Sequence, residues 1–424
     1  MRLNVKDKFK SVNMNLFYFS GDVPPSKSLM NRALIIQQFN AKIHWDEASD
    51  ATDVIHLKQA LQDFQSGKTR FDCADGGTTF RFLAIFLSRF PGTYELKVTS
   101  ALKRRPHDGL FEIFEQLGVK TSWSDLVLTM ETSGWLQDEL HLQSEKTSQV
   151  ASAVVLSSWN LGNHLSLILP SDLYQYGYFQ MTLQQCEMFG FQFEKQEMTD
   201  GFVKLTIPSR QQPRQQKIVI EPDISSCFPL AVLGAIKQPV QIKNFPRNSF
   251  QPDFQFLDIF HHSRVAFDLS ENGLKVFPSK SLKAFRTSVD QCPDLFPVLC
   301  VFAAFCEGQS EIGGLERLVF KESDRLSETV KLLQLHGVFI EQKADSVLIE
   351  GKANRKIQTA PGLTFDPVQD HRMAMAAVLF QVMGSSVVLT DVQVFKKSFP
   401  EFMSYVRSLL PYLADSQLRG GMSE

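Results

Sequence analysis

Three segments of this chain leave a helix-like pattern in the same way. Gln116-Leu117-Gly118-Val119, Met188-Phe189-Gly190-Phe191 and Leu335-His336-Gly337-Val338 each run from apolar residues at helical spacing, through glycine, into a strand-like stretch. Glycine just past a helix can take the left-handed conformation that closes the last turn. Gly190 follows Gly118 by 72 positions (190 − 118), and Gly337 follows Gly190 by 147 (337 − 190), about twice 73. The spacing implies a repeated unit of about 70 residues, too long for a stacked solenoid repeat. One copy lacks its glycine near residue 263, where Phe256-Leu257-Asp258-Ile259-Phe260-His261-His262 keeps the helical pattern.

Within this period, helix pairs are expected to begin near 28, 77, 148, 223, 294 and 370. Apolar stripes at Val54, Leu57, Leu61, Phe64 and at Leu110, Ile113, Phe114, Leu117 have the helical spacing. Tyr94-Glu95-Leu96-Lys97-Val98 and Ser385-Ser386-Val387-Val388-Leu389 read as strands between them. Six α/β units fall into two domains of three, which suits 424 residues. Hydrophobic residues make up 43% and charged residues 21%, which excludes intrinsic disorder. A net charge of −2 leaves no overall basic footprint for nucleic acid. The longest near-continuous apolar run, Phe296 to Cys306, has 11 residues, whereas a membrane span takes roughly 18. Met1-Arg2-Leu3-Asn4-Val5-Lys6 is polar and has no apolar secretory core. A soluble cytoplasmic protein is expected. Cys73, Cys186, Cys227, Cys292, Cys300 and Cys306 form no Cys-x-x-Cys pair and are read as small buried residues.

The expected helix starts carry an unusual charge. Lys27 and Arg32 follow Pro24-Pro25-Ser26, and Arg81 follows Asp75-Gly76-Gly77-Thr78-Thr79. Arg105-Pro106, Thr147-Ser148-Gln149, Asp223-Ile224-Ser225-Ser226, Pro293-Asp294, Lys321-Glu322-Ser323-Asp324-Arg325, Asp370-His371-Arg372 and Lys397-Ser398 mark the others. Ser, Thr and Asp there cap free N–H groups. A cation opposes the helix dipole, so Lys27, Arg81, Arg105, Lys321, Arg372 and Lys397 repeat a local cost six times. A multiply charged anion held where helix N-termini converge would offset it. Gly76 and Gly77 let backbone approach such a ligand. No phosphate-binding Walker sequence, His-Glu-x-x-His or G-x-G-x-x-G with a distant acid is present, so no metal is implied.

These motifs resemble those of the 5-enolpyruvylshikimate-3-phosphate synthase family. Ser26-Lys27-Ser28-Leu29-Met30-Asn31-Arg32 is similar to its Ser-Lys-Ser-x-x-Asn-Arg motif, and Asp75-Gly76-Gly77-Thr78-Thr79-Phe80-Arg81 to its Asn-x-Gly-Thr-x-x-Arg loop. Arg104-Arg105-Pro106, Ser148-Gln149, Lys321 to Arg325, Asp370-His371-Arg372-Met373-Ala374 and Lys397-Ser398-Phe399-Pro400 follow in the family's order. The likeness implies an inside-out α/β barrel of two domains, each three β-α-β-α-β-β units, closing on substrates between them. The domains would comprise residues 22–220 and residues 1–21 with 221–424, so the chain crosses near Asp22 and near Glu221.

The resemblance also implies the reaction: transfer of the enolpyruvyl group of phosphoenolpyruvate to the 5-hydroxyl of shikimate 3-phosphate, on the way to chorismate and aromatic amino acids. It makes Asp294 the base for the hydroxyl, Glu322 the proton donor and acceptor at the methyl carbon, and Lys27 a contact to both substrates with a share in proton transfer. Shikimate 3-phosphate falls to Lys27, Ser28, Arg32, Thr147, Ser148, Gln149, Asp294 and Lys321, with Gln175 and Arg317 carried over in place of the usual Ser and Asn. Phosphoenolpyruvate falls to Lys27, Gly77, Arg105, Gln149, Arg325, Arg372 and Lys397. Arginine's fork suits phosphate and carboxylate alike. No cofactor is implied, and the expected form is a monomer without nucleic-acid or membrane partners.

Thr147 replaces the first Ser of a Ser-Ser-Gln motif and keeps its hydroxyl. Asp75 replaces an Asn; it either faces the bound anion or caps the next helix, and the cap is the expected role. Two Lys- and Arg-rich half-sites are expected to repel until anions bridge them. The rival readings are the sister enzyme acting on UDP-N-acetylglucosamine, whose acid is a loop cysteine, and a non-catalytic anion-binding protein on the same scaffold. Cys73 lies outside the sister enzyme's motif, and Lys27, Asp294 and Glu322 argue for catalysis.

Overall fold

The computed structural model describes residues 19–143, 147–357, 359 and 362–409. Residues 1–18 of the expected second domain therefore lie outside the described residues. Six helices start within two residues of the expected positions: Lys27–Gln37, Gly77–Leu87, Gln149–Leu156, Ile224–Ile236, Phe296–Ala304 and His371–Val382. They form the inside of the fold. Every residue of Phe296–Ala304 and of His371–Val382 is buried. A helix apolar all round has no solvent face and must be enclosed. The partner helices are one-sided; Asp108–Gln116 buries Gly109, Leu110, Ile113 and Phe114.

Sheets cover these helices. Among the described residues, four sheets have four strands and share one order. In one, Glu139–His141 pairs in parallel with Leu165–Pro170, which pairs antiparallel with Phe202–Ile207. The parallel neighbours are joined through the inner helix Gln149–Leu156, as parallel pairing requires a crossover. Two further sheets are single parallel pairs, His44–Trp45 with Lys217–Ile218 and Thr364–Phe365 with Val388–Leu389. The first unit has no room for the hairpin: left-handed Gly67 precedes left-handed Gly118 by only 51 positions (118 − 67).

The glycines behave as the spacing predicts, with φ of 68° at Gly118, 89° at Gly190 and 65° at Gly337. In the copy without glycine, Arg264 takes the left-handed conformation at φ 60°, one residue past the expected place.

Two hydrophobic cores result. One draws on Met30 to Ile218, the other on Phe19, Val23 and Ile224 to Phe402. Phe19–Gly21 pairs in parallel with Val240–Ile242, so the first described strand belongs to the second core's sheet. The two connecting segments run side by side: Ser26 N donates to Glu221 O at 2.8 Å and Asp223 N to Pro24 O at 3.0 Å. None of the described helices is long and apolar enough to cross a membrane.

Candidate functional site

The inner helices bring their N-termini to the cleft between the two cores. Ser26, Asp223, Asp324 and Asp370 cap helices there, with Leu29 N, Ser226 N, Ser327 N and Arg372 N as donors. One cavity of about 80 Å³ is lined by Lys27, Ser28, Arg32, Thr78, Arg105, Thr147, Ser148, Gln149, Tyr176, Tyr178, Asp294, Lys321 and Glu322. Ten of the expected site residues thus meet in one place. A smaller neighbouring cavity adds Arg81 and Arg317. Gln175 is exposed and lines a broader groove with Asp290 and Arg317 instead. Arg317 pairs with Asp290 at 2.6 Å and lies over the Tyr176 ring at 4.4 Å.

Arg325 organises the carboxylates. Its Nη1 donates to Asp294 Oδ1 at 2.7 Å, its Nη2 to Glu322 Oε2 at 2.9 Å, and its Nε to Asp370 Oδ2 at 2.8 Å. Asp294 also meets Lys321 Nζ at 3.3 Å and Arg372 Nη2 at 3.9 Å. Arg372 further approaches Asp223 at 3.5 Å and bonds the Ser225 and Ser226 hydroxyls. Lys27 pairs with Asp53 at 3.0 Å and Lys397 with Asp75 at 2.5 Å. The charge of these five cations is therefore met by protein carboxylates. For these five, the facing acids weaken the repulsion expected between the two half-sites. The expectation for Asp75 is corrected: its side chain does not cap the helix Gly77–Leu87; Gly76 occupies the cap position.

Arg105 differs, because its Nε is buried without a hydrogen-bond partner among the described residues. Arg32 is committed to the scaffold, donating to Ser28 O, Tyr178 O and Thr182 Oγ1, and burial lowers its pKa to about 10. Gln149 holds Arg81 through Oε1 at 2.5 Å and donates to Thr78 Oγ1 at 3.0 Å. Gly77 backs onto both arginines: a Cβ there would lie 2.9 Å from Arg81 Nη1 and 3.0 Å from Arg105 Nη1.

These fields set the ionisation of the two candidate catalytic acids. Burial opposes charge on Asp294, but Lys321, Arg325 and Arg372 outweigh it and hold the carboxyl far below its usual range. Glu322 is likewise held well below; burial is outweighed by Arg325, Lys397, Arg105 and Lys27. Asp253 goes the other way, raised to about 7 by burial and by the charge of Asp294. His371 is buried with both ring nitrogens unpartnered among the described residues, and burial, with Arg372 and Lys27, keeps it neutral.

Sequence reasoning missed Asp53, Tyr178 and Asp253. Tyr178 donates its hydroxyl to Asp253 Oδ2 at 2.8 Å, joining the two cores across the cleft. An acid in a first helical turn, as at Asp53, looks like an ordinary dipole partner. Asp253 sits in Gln251-Pro252-Asp253, which reads locally as a turn. Cys73 is fully buried in the first core, and burial raises its pKa, so it is no loop acid.

A family model described as EPSP synthase (3-phosphoshikimate 1-carboxyvinyltransferase) matches residues 21–405. A 3-phosphoshikimate 1-carboxyvinyltransferase of Clostridium botulinum (strain Alaska E43 / Type E3) is 27% identical over 91% of this chain and 94% of its own length. Its counterpart from Clostridium acetobutylicum is 28% identical over 94% and 97%. An EPSP synthase structure from Acinetobacter baumannii superposes with a TM-score of 0.69 at 18% identity, covering 93% of this chain and 96% of that one. The enolpyruvyl transferase NikO from Streptomyces tendae gives 0.68 at 13% identity, over 94% and 96%. At such identities the structures speak to the two-domain α/β fold. With the family match spanning nearly all of the described residues, this chain belongs to the EPSP synthase (3-phosphoshikimate 1-carboxyvinyltransferase) family.

Proposed function

We propose that this protein transfers the enolpyruvyl group of phosphoenolpyruvate to the 5-hydroxyl of shikimate 3-phosphate and releases phosphate. The observation that carries the reading is one guanidinium, Arg325, holding Asp294 and Glu322 at a cavity lined by Lys27, Arg105, Gln149 and Lys321. The cations receive the phosphate and carboxylate groups, and the two acids do the proton work. Asp294 takes the hydroxyl proton as the new C–O bond forms, while Glu322 gives a proton to the methylene carbon. Glu322 then recovers a proton from the methyl carbon as the bond to phosphate breaks.

Both carboxyls are too acidic for this while their cations have no substrate to hold: Lys321, Arg325 and Arg372 depress Asp294, and Arg325, Lys397, Arg105 and Lys27 depress Glu322. Bound anions share those cations, so the carboxyl pKa values rise toward the operating pH, where proton transfer is efficient. Substrate binding thus prepares its own acid and base.

The two cores support a division into domains of residues 22–220 and of 1–21 with 221–424; we place the protein in the cytoplasm as a monomer. Shikimate 3-phosphate is assigned to Lys27, Ser28, Thr147, Ser148, Gln149, Asp294 and Lys321, with Arg32 positioning Ser28 through its carbonyl. Gln175 and Arg317 border this site from the adjoining groove and cavity. Phosphate release is measured with both substrates and with each omitted in turn. Release that requires both supports the reading; release without shikimate 3-phosphate, or none at all, refutes it.

A further inference from the structure

Asp75 stands directly before Gly76 and Gly77, where the family resemblance expects a neutral side chain. Its Oδ1 accepts from the Thr99 hydroxyl at 3.1 Å, and its Oδ2 meets Lys397 Nζ at 2.5 Å. The pair joins residues 322 positions apart and links the glycine loop of the first core to the 3-10 turn Gln393–Lys397 of the second. The Lys397 side chain is 9% exposed and that of Asp75 28%, so water screens the pair less than a surface pair. Glu322 and Asp53 also act on this ammonium. The adjoining cavity of about 80 Å³ has room for a few waters. The pair lies across the cleft between the two cores.

We propose that Asp75 is a resident stand-in for the phosphoryl group of the substrate, holding Lys397 until phosphoenolpyruvate arrives and then yielding the ammonium to it. The inference rests on the reading of Lys397 as a phosphoenolpyruvate ligand. A lysine ammonium is a compact point charge. A dianionic phosphoryl group binds it more strongly than a single carboxylate does, so the exchange favours dianions over monoanions. The carboxylate left behind remains close to the new anion and repels it. Asp75 therefore lowers affinity twice, by stabilising the resident pair and by opposing the bound state.

The test is the dissociation constant of phosphoenolpyruvate, measured calorimetrically with phosphoenolpyruvate as the sole substrate so that no turnover occurs, in the wild type, Asp75→Asn, Lys397→Gln and the double variant. Asp75→Asn is expected to tighten binding about three- to tenfold, the range for a partly shielded ion pair. Lys397→Gln weakens binding, and Asp75→Asn adds nothing in that background, since the coupling needs both partners. Unchanged or weaker binding in Asp75→Asn, with Lys397→Gln still impaired, overturns the exchange and leaves the site reading intact. Unchanged binding in Lys397→Gln overturns the site reading and the exchange with it. Asp75→Ser removes the same charge and is read in place of Asp75→Asn should the latter not fold; tightening in Asn but not Ser also refutes the proposal.

Discussion

Gly77→Ala tests how closely the glycine loop is fitted to the arginines behind it. The added methyl would lie 2.9 Å from Arg81 Nη1 and 3.0 Å and 3.2 Å from Arg105 Nη1 and Cζ, where ordinary contact begins at 3.4 Å. Something has to move by 0.5 Å at Arg81 (3.4 − 2.9) or 0.4 Å at Arg105 (3.4 − 3.0). Arg81 is held by Gln149 Oε1 at 2.5 Å and Pro106 O at 2.7 Å. Arg105, whose Nε is unpartnered, is the side chain that yields. A hydrogen bond to a charged group contributes about 1.5–3 kcal/mol. Losing about half of one is roughly 1 kcal/mol, which raises the KM for phosphoenolpyruvate about fivefold. Asp294 and Glu322 do not touch the methyl, so kcat should stay within about twofold. Glyphosate, which the family resemblance places in the phosphoenolpyruvate pocket and which is slightly longer, should lose more. Steady-state phosphate release with each substrate varied, and with glyphosate as inhibitor, measures all three effects. Equal losses for glyphosate and phosphoenolpyruvate, or a fall in kcat at constant KM, would refute the steric argument.

Asp294→Asn keeps the shape of the side chain and removes the base, so turnover should fall by roughly 10²-fold with substrate binding retained; near-normal turnover would exclude Asp294 from that role. Binding of shikimate 3-phosphate alone should take up protons, because it raises the pKa of the carboxyls that share its cations; calorimetry in buffers of different ionisation enthalpy counts them, and proton release would contradict the mechanism. Arg325→Met leaves buried Asp294, Glu322 and Asp370 without their shared cation and should cost about 3–5 kcal/mol of stability near neutral pH. In the wild type, Asp294 and Glu322 have depressed folded pKa values, so their stabilisation is present above their unfolded values and fades as pH falls. In Arg325→Met the remaining cations hold these carboxyls less far below their usual range, so the variant loses less stability than the wild type as pH falls. The Tm gap between the two proteins should therefore narrow as pH falls through the carboxylate range, and a gap that widens would contradict the assignment.

The expected cost of cations at helix starts is real but is met differently than local reasoning suggests. Lys27 lies in the first turn of its helix, yet Lys397 ends a 3-10 turn and Arg105 lies between two helices. Lys27 and Lys397 are compensated by carboxylates from other elements, Asp53 and Asp75. Anions then bind by exchange within an existing charge network, and the net gain is smaller than cation count alone would indicate.

What the sequence determined by itself was periodic or local. The spacing of Gly118, Gly190 and Gly337 carried the repeat, because a left-handed helix end is a backbone property that glycine signals directly. The apolar run from Phe296 to Cys306 also stood out, and Phe296–Ala304 is buried throughout, because burial follows from the side chains present. The grouping of Lys27, Asp294 and Glu322 came from the motifs shared with the family; on local pattern alone Asp294 after Pro293 reads as a helix cap. Tertiary structure alone decided which acid meets which cation. Lys27 finds Asp53 at 26 positions, Tyr178 finds Asp253 at 75, and Lys397 finds Asp75 at 322. An ion pair depends on distance and burial after packing, and no period or local motif encodes either, so Asp75 looked like a helix cap until the second core was placed beside it.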